Sequence, residues 1–168
     1  MNVVKYFKLD NAMADLEYAT ELSACFDLRA WLHDGTDINA FTPWGDSWGP
    51  KVKNGELWIA HDERVLVSTG IIFDIPFGHS IRLHPRSGLA LKKGLTLANC
   101  EGIIDADYVE PVFVAMTNHS QRSVSIKSGD RICQAELVQN KSCFFSVLDK
   151  RPERKTSRAG GFGSTGTK

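Results

Sequence analysis

The sequence lacks a cysteine pair of metal-binding or redox spacing, an excess of charge of either sign, and any long apolar run. Its four cysteines, Cys25, Cys100, Cys133 and Cys143, are scattered without a C-x-x-C motif. That argues against a zinc knuckle or a disulfide framework, and for reduced thiols that mostly fill core space. Twenty Lys and Arg balance twenty Asp and Glu, so no general attraction to duplex nucleic acid is expected. Lysines interrupt residues 1–9, and no uninterrupted apolar stretch is long enough for a signal peptide or a membrane span. The expectation is a soluble, cytoplasmic protein without membrane contact. Helical periodicity is scarce as well, and only residues 87–93 read as a short helical turn.

What the sequence does contain is period-two alternation. It recurs at residues 3–9, 64–75, 79–84, 112–118, 122–127, 131–139 and 143–148, with turns such as Pro76-Phe-Gly78, Lys92-Lys-Gly94 and Ser128-Gly-Asp130 between runs. Many short strands at this spacing predict an all-β barrel or sandwich, and 168 residues suit one domain with a sizeable core. Between residues 33 and 56 the alternation fails, and Gly, Pro and Asn crowd in with Trp44 and Trp48. This predicts a surface insertion pinned by its tryptophans, as a packed loop, a lid or a subunit contact. From residue 150 onward, six basic residues face one acidic residue, Glu153, among four glycines. The body, residues 1–149, is therefore acidic, and residues 150–168 read as a flexible basic arm that is either disordered or orders over an anion.

Five stretches carry candidate chemistry. The central one, Asn99-Cys-Glu-Gly-Ile-Ile-Asp-Ala-Asp-Tyr108, places two carboxylates two residues apart; an extended chain would put Asp105 and Asp107 on one face, where they repel. Pro85-Arg-Ser-Gly-Leu-Ala90 follows a strand and opens the helical turn, so Arg86, Ser87 and unpaired backbone N–H groups suit phosphate oxygens; the plainer alternative is an N-cap serine beside a surface arginine. In Gly129-Asp-Arg-Ile-Cys-Gln134, alternation sends Gln134 to the side of Ile132, where a buried amide needs a partner. Asp27 lies among apolar residues near the start of a strand, suited to a structural bond or a metal-bound water. The last stretch, residues 158–168, spaces Gly161 and Gly166 like a phosphate loop but has Thr167 where Lys is required. What remains there is a guanidinium, an aromatic plate and two hydroxyls, able to close over a nucleotide.

In chain order the five stretches resemble the trimeric dUTP pyrophosphatase family, over nearly the whole chain from residue 24 to 166. The resemblance implies a jelly-roll-like β-barrel of the β-clip type and a homotrimer with three shared active sites. It also implies Mg2+ and hydrolysis of dUTP to dUMP and pyrophosphate, which keeps uracil out of DNA and supplies dUMP for dTMP synthesis. By the same resemblance Asp105 is the base that orients and deprotonates the attacking water. Tyr108 packs under the deoxyribose, and the backbone from Asn99 through Gly102 to Ile104 reads the uracil edge. Arg86, Ser87, Gly88 and Gln134 hold phosphates, and Asp27 lies near the metal through water. Phe162 and Gly163 cover the base while Arg158, Ser164 and Thr165 close on the terminal phosphates. The chain departs from the family pattern with Cys25 for Gly, Cys133 for Ala, Val109-Glu-Pro111 at a turn that normally carries Gly, and one residue fewer between Arg158 and Phe162. Two rivals are a dCTP deaminase of the same fold, which needs an arginine and a glutamate near Leu91 and Ala115, and a regulatory module docking through residues 33–56.

Overall fold

The computed structural model of the chain describes residues 3–157. Thirteen strands and one helix follow in chain order: β1 Lys5–Lys8, β2 Phe26–Arg29, β3 Ala40–Phe41, β4 Ser47–Trp48, β5 Glu56–Ile59, β6 Arg64–Ser68, β7 Ile71–Asp74, β8 His79–His84, α1 Ser87–Lys93, β9 Leu95–Leu97, β10 Gly102–Ile104, β11 Phe113–Asn118, β12 Val124–Lys127 and β13 Arg131–Gln139. Among the described residues these form a four-stranded sheet β10-β8-β13-β2, a five-stranded sheet β4-β3-β6-β11-β9, and the pairs β1-β7 and β12-β5, without one closed ladder. Every ladder among the described residues is antiparallel. Alternate side chains from the sheets meet in one core: Leu28, Ile81, Leu83 and Ala135 from the four-stranded sheet, Val65, Val67, Val114 and Met116 from the five-stranded one, and Leu57, Ile59 and Ile126 from the smaller pair. The fold is thus all-β, as the alternation and turn spacing predict, and jelly-roll-like, as the family resemblance implies.

Residues 64–75, read as one run, divide at Gly70. There β6 leaves for the five-stranded sheet and β7 turns to pair with β1. Gly70 has φ +65°, and a Cβ on it would lie 2.8 Å from Met13 Sδ and 2.9 Å from Trp31 Cγ, so only glycine lets the chain change sheets here.

The insertion is also more regular than its composition suggests. β3 and β4 form a small hairpin that extends the five-stranded sheet through the ladder of β3 with β6. Its anchors are the buried Ile38, Ala40 and Val52. The tryptophans do not pin it: Trp44 is 86% exposed and Trp48 48% exposed, although the Trp48 indole N–H donates to the buried Glu63 carboxylate. Residues 143–148 form no strand, and Phe144, Phe145, Val147 and Leu148 all lie exposed. Among the described residues they pair with no strand and join no core.

The helix α1 ends on Gly94, which has φ +70° and donates its N–H to Ala90 O. A Cβ at Gly94 would stand 2.8 Å from the backbone N of Ser120. Gly94→Ala is therefore expected to cost about 1–3 kcal/mol, read as a lower urea midpoint. A loss under about 0.5 kcal/mol would mean that the turn after α1 is not constrained as described.

The thiols divide sharply by burial. Burial, helped by the Asp27 charge, pushes the Cys133 thiol up to about 12, and burial followed by the charges of Glu136 and Asp27 raises Cys25. Both are neutral at pH 7 and poor nucleophiles, whereas Cys100 and Cys143 are exposed. An aromatic disulfide reagent should titrate Cys100 and Cys143 first, Cys25 more slowly, and Cys133 only on unfolding. Fast labelling of Cys133 in the native protein would contradict its place in the core.

Candidate active site

Three adjacent strands build the first half of the site. β13 lies between β2 and β8, and its ladders put Gln134 opposite both Asp27 and His84. A β-bulge between Arg131 and Cys133 shifts the register, leaving Ile132 and Cys133 both buried and sending Ala135, not Gln134, to the core. The predicted placement of Gln134 on the core side is thereby corrected. It stands half-buried on the outer face, where its amide N donates to Pro85 O at 3.2 Å.

The bulge also brings Arg131 to Asp27, and this arginine was missed in the sequence because strict alternation places it opposite Gln134. Asp27 holds two guanidiniums: Arg86 Nε at 3.0 Å on Oδ1 and Arg131 Nη1 at 3.1 Å on Oδ2. Arg86 Nη1 further donates to Arg131 O at 3.2 Å. One carboxylate between two cations leaves a net positive charge, and fixes the Arg86 fork beside the start of α1. Arg86, not Ser87, is the N-cap, and no side chain caps the helix. Ser87 and Gly88 are exposed in its first turn, where backbone N–H groups lack intrahelical acceptors. The arrangement suits an oxyanion.

The second half is the run from Asn99 to Tyr108. Cys100 adopts φ +60° and Glu101 N donates to Asn99 O at 2.6 Å, so the chain kinks and enters β10. β10 is an edge strand of its sheet, and an edge leaves alternate N–H and C=O groups facing outward, ready to pair with a ligand as another strand would. Gly102 packs closely here, since a Cβ would stand 3.0 Å from Leu83 Cβ and that side chain would have to shift. The chain then turns, with Tyr108 N donating to Asp105 O at 3.1 Å. It is not extended, so Asp105 and Asp107 do not form the repelling pair that alternation predicts. The Asp105 side chain is exposed and has no hydrogen bond or ion pair among the described residues. Tyr108 Oη donates to Pro111 O at 3.0 Å, so Val109-Glu-Pro111 closes the turn without a glycine by capping the ring's own hydroxyl.

Within one chain the proposed base and the anion grip stand apart. Ile104 pairs with Ile81, which sets Asp105 beside Ser80, six residues before Arg86. At about 3.3 Å per residue Asp105 lies roughly 20 Å from Arg86, although the start of its segment reaches the grip, with Glu101 3.9 Å from His84. Arg158, Phe162, Gly163, Ser164 and Thr165 lie outside the described residues.

The family model for dUTPase matches residues 53–166. A protein from Dinoroseobacter shibae named deoxyuridine 5'-triphosphate nucleotidohydrolase is 40% identical over 132 residues, covering 79% of this chain and 81% of that one. The chain belongs to the dUTPase family. Two solved structures share the fold. The dUTPase of Staphylococcus bacteriophage 80alpha, a G-to-S variant with dUpNHpp, has a TM-score of 0.75 at 18% identity over 99% of both chains. The dUTPase variant of phage phi11 of S. aureus, described with a structural Mg(II) ion, has a TM-score of 0.68 at 16% identity, covering 89% of this chain and 98% of that one. Family membership agrees with the resemblance drawn from the motifs along the chain.

Among the described residues no helix is long and apolar enough to cross a membrane, and no group of three or more His, Cys, Asp and Glu side chains could hold a metal ion. Asp27 does not fit an inner-sphere ligand, since each of its oxygens already faces a guanidinium.

Proposed function

We propose that this protein hydrolyses dUTP to dUMP and pyrophosphate at a site assembled from the Asn99–Tyr108 segment of one copy and the Asp27, Arg86 and Gln134 cluster of another. The separation of Asp105 from Arg86 along β8 carries this reading. A water held by a base must stand about 3–3.5 Å from the phosphorus it attacks, which one chain cannot arrange across roughly 20 Å. A homotrimer of the family type joins the halves three times. Phe144, Phe145, Val147 and Leu148, which find no cover among the described residues, are suited to burial on a neighbouring copy.

In this site the outward backbone of β10 pairs with the uracil edge, and the tight approach excludes a thymine methyl. The Tyr108 ring, held by its bond to Pro111 O, lies under the deoxyribose where a 2′-hydroxyl would collide. Arg86, Ser87, Gly88 and Gln134 hold the phosphate oxygens. Asp105 accepts a proton from water as the water oxygen bonds to the α-phosphorus; the bond from that phosphorus to the bridging oxygen breaks, and pyrophosphate leaves with the electron pair. Closure by Arg158, Phe162, Gly163, Ser164 and Thr165 excludes bulk water. Mg2+ arrives with the triphosphate, any contact with Asp27 running through water, and no step is assigned to it.

The test mixes two inactive variants. Asp105→Asn and Arg86→Ala, unfolded together and refolded as mixed assemblies, should regain a substantial part of wild-type turnover, because some sites receive both native residues. No recovery, with mixed assemblies shown to form, would mean that each chain holds a complete site.

A further inference from the structure

Only three ladder positions hold β10 to β8: Gly102 with Leu83, Ile103 with Arg82 and Ile104 with Ile81. So short an edge strand is weakly fixed by its backbone alone. A side-chain tie adds to it. Glu101, immediately before β10, returns a carboxylate to β8, with Oε2 3.3 Å from Arg82 Nη1 and Oε1 3.9 Å from His84 Nδ1. His84 Nε2 stands 3.0 Å from Glu136 Oε1 on β13; a carboxylate only accepts, so that nitrogen carries the hydrogen. Glu136 is also opposite Arg82 in the ladder. The two carboxylates thus flank the side chains of β8, Glu101 on Arg82 and Glu136 on the His84 ring, two residues from Gln134. Gly102 presses the segment against Leu83 on the core side, and Glu101 ties it on the outer side.

We propose that Glu101 is a specificity-determining positioning residue: held by Arg82, it fixes the height of the 99–104 backbone over β8 and so sets how strictly the slot rejects a base with an added methyl. This rests on the reading that this backbone pairs with uracil. A slot that reads by backbone discriminates only while it cannot widen. The four side chains are partly exposed, so the tie is weak in energy, and its effect falls on selectivity rather than on folding.

The experiment compares dUTP with dTTP on the assembled full-length protein. Glu101→Ala should raise KM for dUTP by about two- to fivefold and narrow the dUTP to dTTP ratio of kcat/KM by a similar factor, with kcat for dUTP falling less. Glu101→Gln, which keeps an acceptor for Arg82, should fall between. Arg82→Ala added to Glu101→Ala should cost little more than Glu101→Ala alone. Amide exchange across residues 100–104 should be faster in Glu101→Ala than in wild type. An unchanged ratio and unchanged exchange would overturn the proposal, as would a lower Tm with an unchanged ratio, which would make the cluster merely structural. Absence of dUTP turnover in the wild type would instead defeat the function proposed above, and the exchange measurement would then decide the tie by itself.

Discussion

Asp105→Asn should lower dUTP turnover by about a hundred- to ten-thousandfold while nucleotide binding persists. The substitution keeps the side-chain shape but removes the group that accepts the proton of the attacking water. Little else depends on that carboxylate, since it is exposed and unpaired among the described residues, and the turn that places it is closed by backbone through Tyr108 N and Asp105 O. The variant should therefore fold and assemble as wild type. Single-turnover pyrophosphate release and calorimetric titration with dUpNHpp separate the two effects. A turnover within about tenfold of wild type would remove Asp105 from the role of base.

Removal of residues 155–168 should leave a folded assembly with at most about a hundredth of the activity. The cores of both large sheets are complete within residues 26–135, so truncation takes nothing from them. It does take every residue assigned to closure, from Arg158 to Thr165, while the body leaves Asp105, Ser87 and Gly88 open to solvent. Phosphate contacts and water exclusion are lost together, so both kcat and KM should suffer. Native melting with wild-type rates would show that the tail has no part in the reaction.

The strands that frame the site were legible because their periodicity was clean and their ends were punctuated. β8 and β13 coincide with the alternating runs at 79–84 and 131–139, bounded by Pro76-Phe-Gly78, Pro85 and Gly129-Asp130. What escaped were features without a period. The bulge near Ile132 inverts the phase for Gln134 and recruits Arg131, and no composition rule announces a single extra residue. Gly70 looks like any strand glycine until Met13 and Trp31, distant in sequence, pack on it. The apolar run at 143–148 has strand propensity but joins no sheet among the described residues, so propensity alone overestimates it. Asp105 was legible as chemistry but not as geometry, since its distance from Arg86 follows from the register of β10 on β8.

The same register explains why neither half looks complete. Asp27, Arg86, Arg131 and Gln134 form a preorganised anion grip with no base, while the Asn99–Tyr108 segment offers a base and a reading edge with no cation assigned to phosphate. Mutations in the first half should weaken triphosphate binding, and those in the second should affect chemistry or base choice.

The most direct test of the central claim is pyrophosphate release measured across dUTP, dCTP, dTTP and UTP with magnesium, with ammonia followed in parallel. The structure and the family predict rapid release from dUTP, far slower release from the other three, and no ammonia. Ammonia from dCTP, or equal release from dUTP and dTTP, would contradict the account.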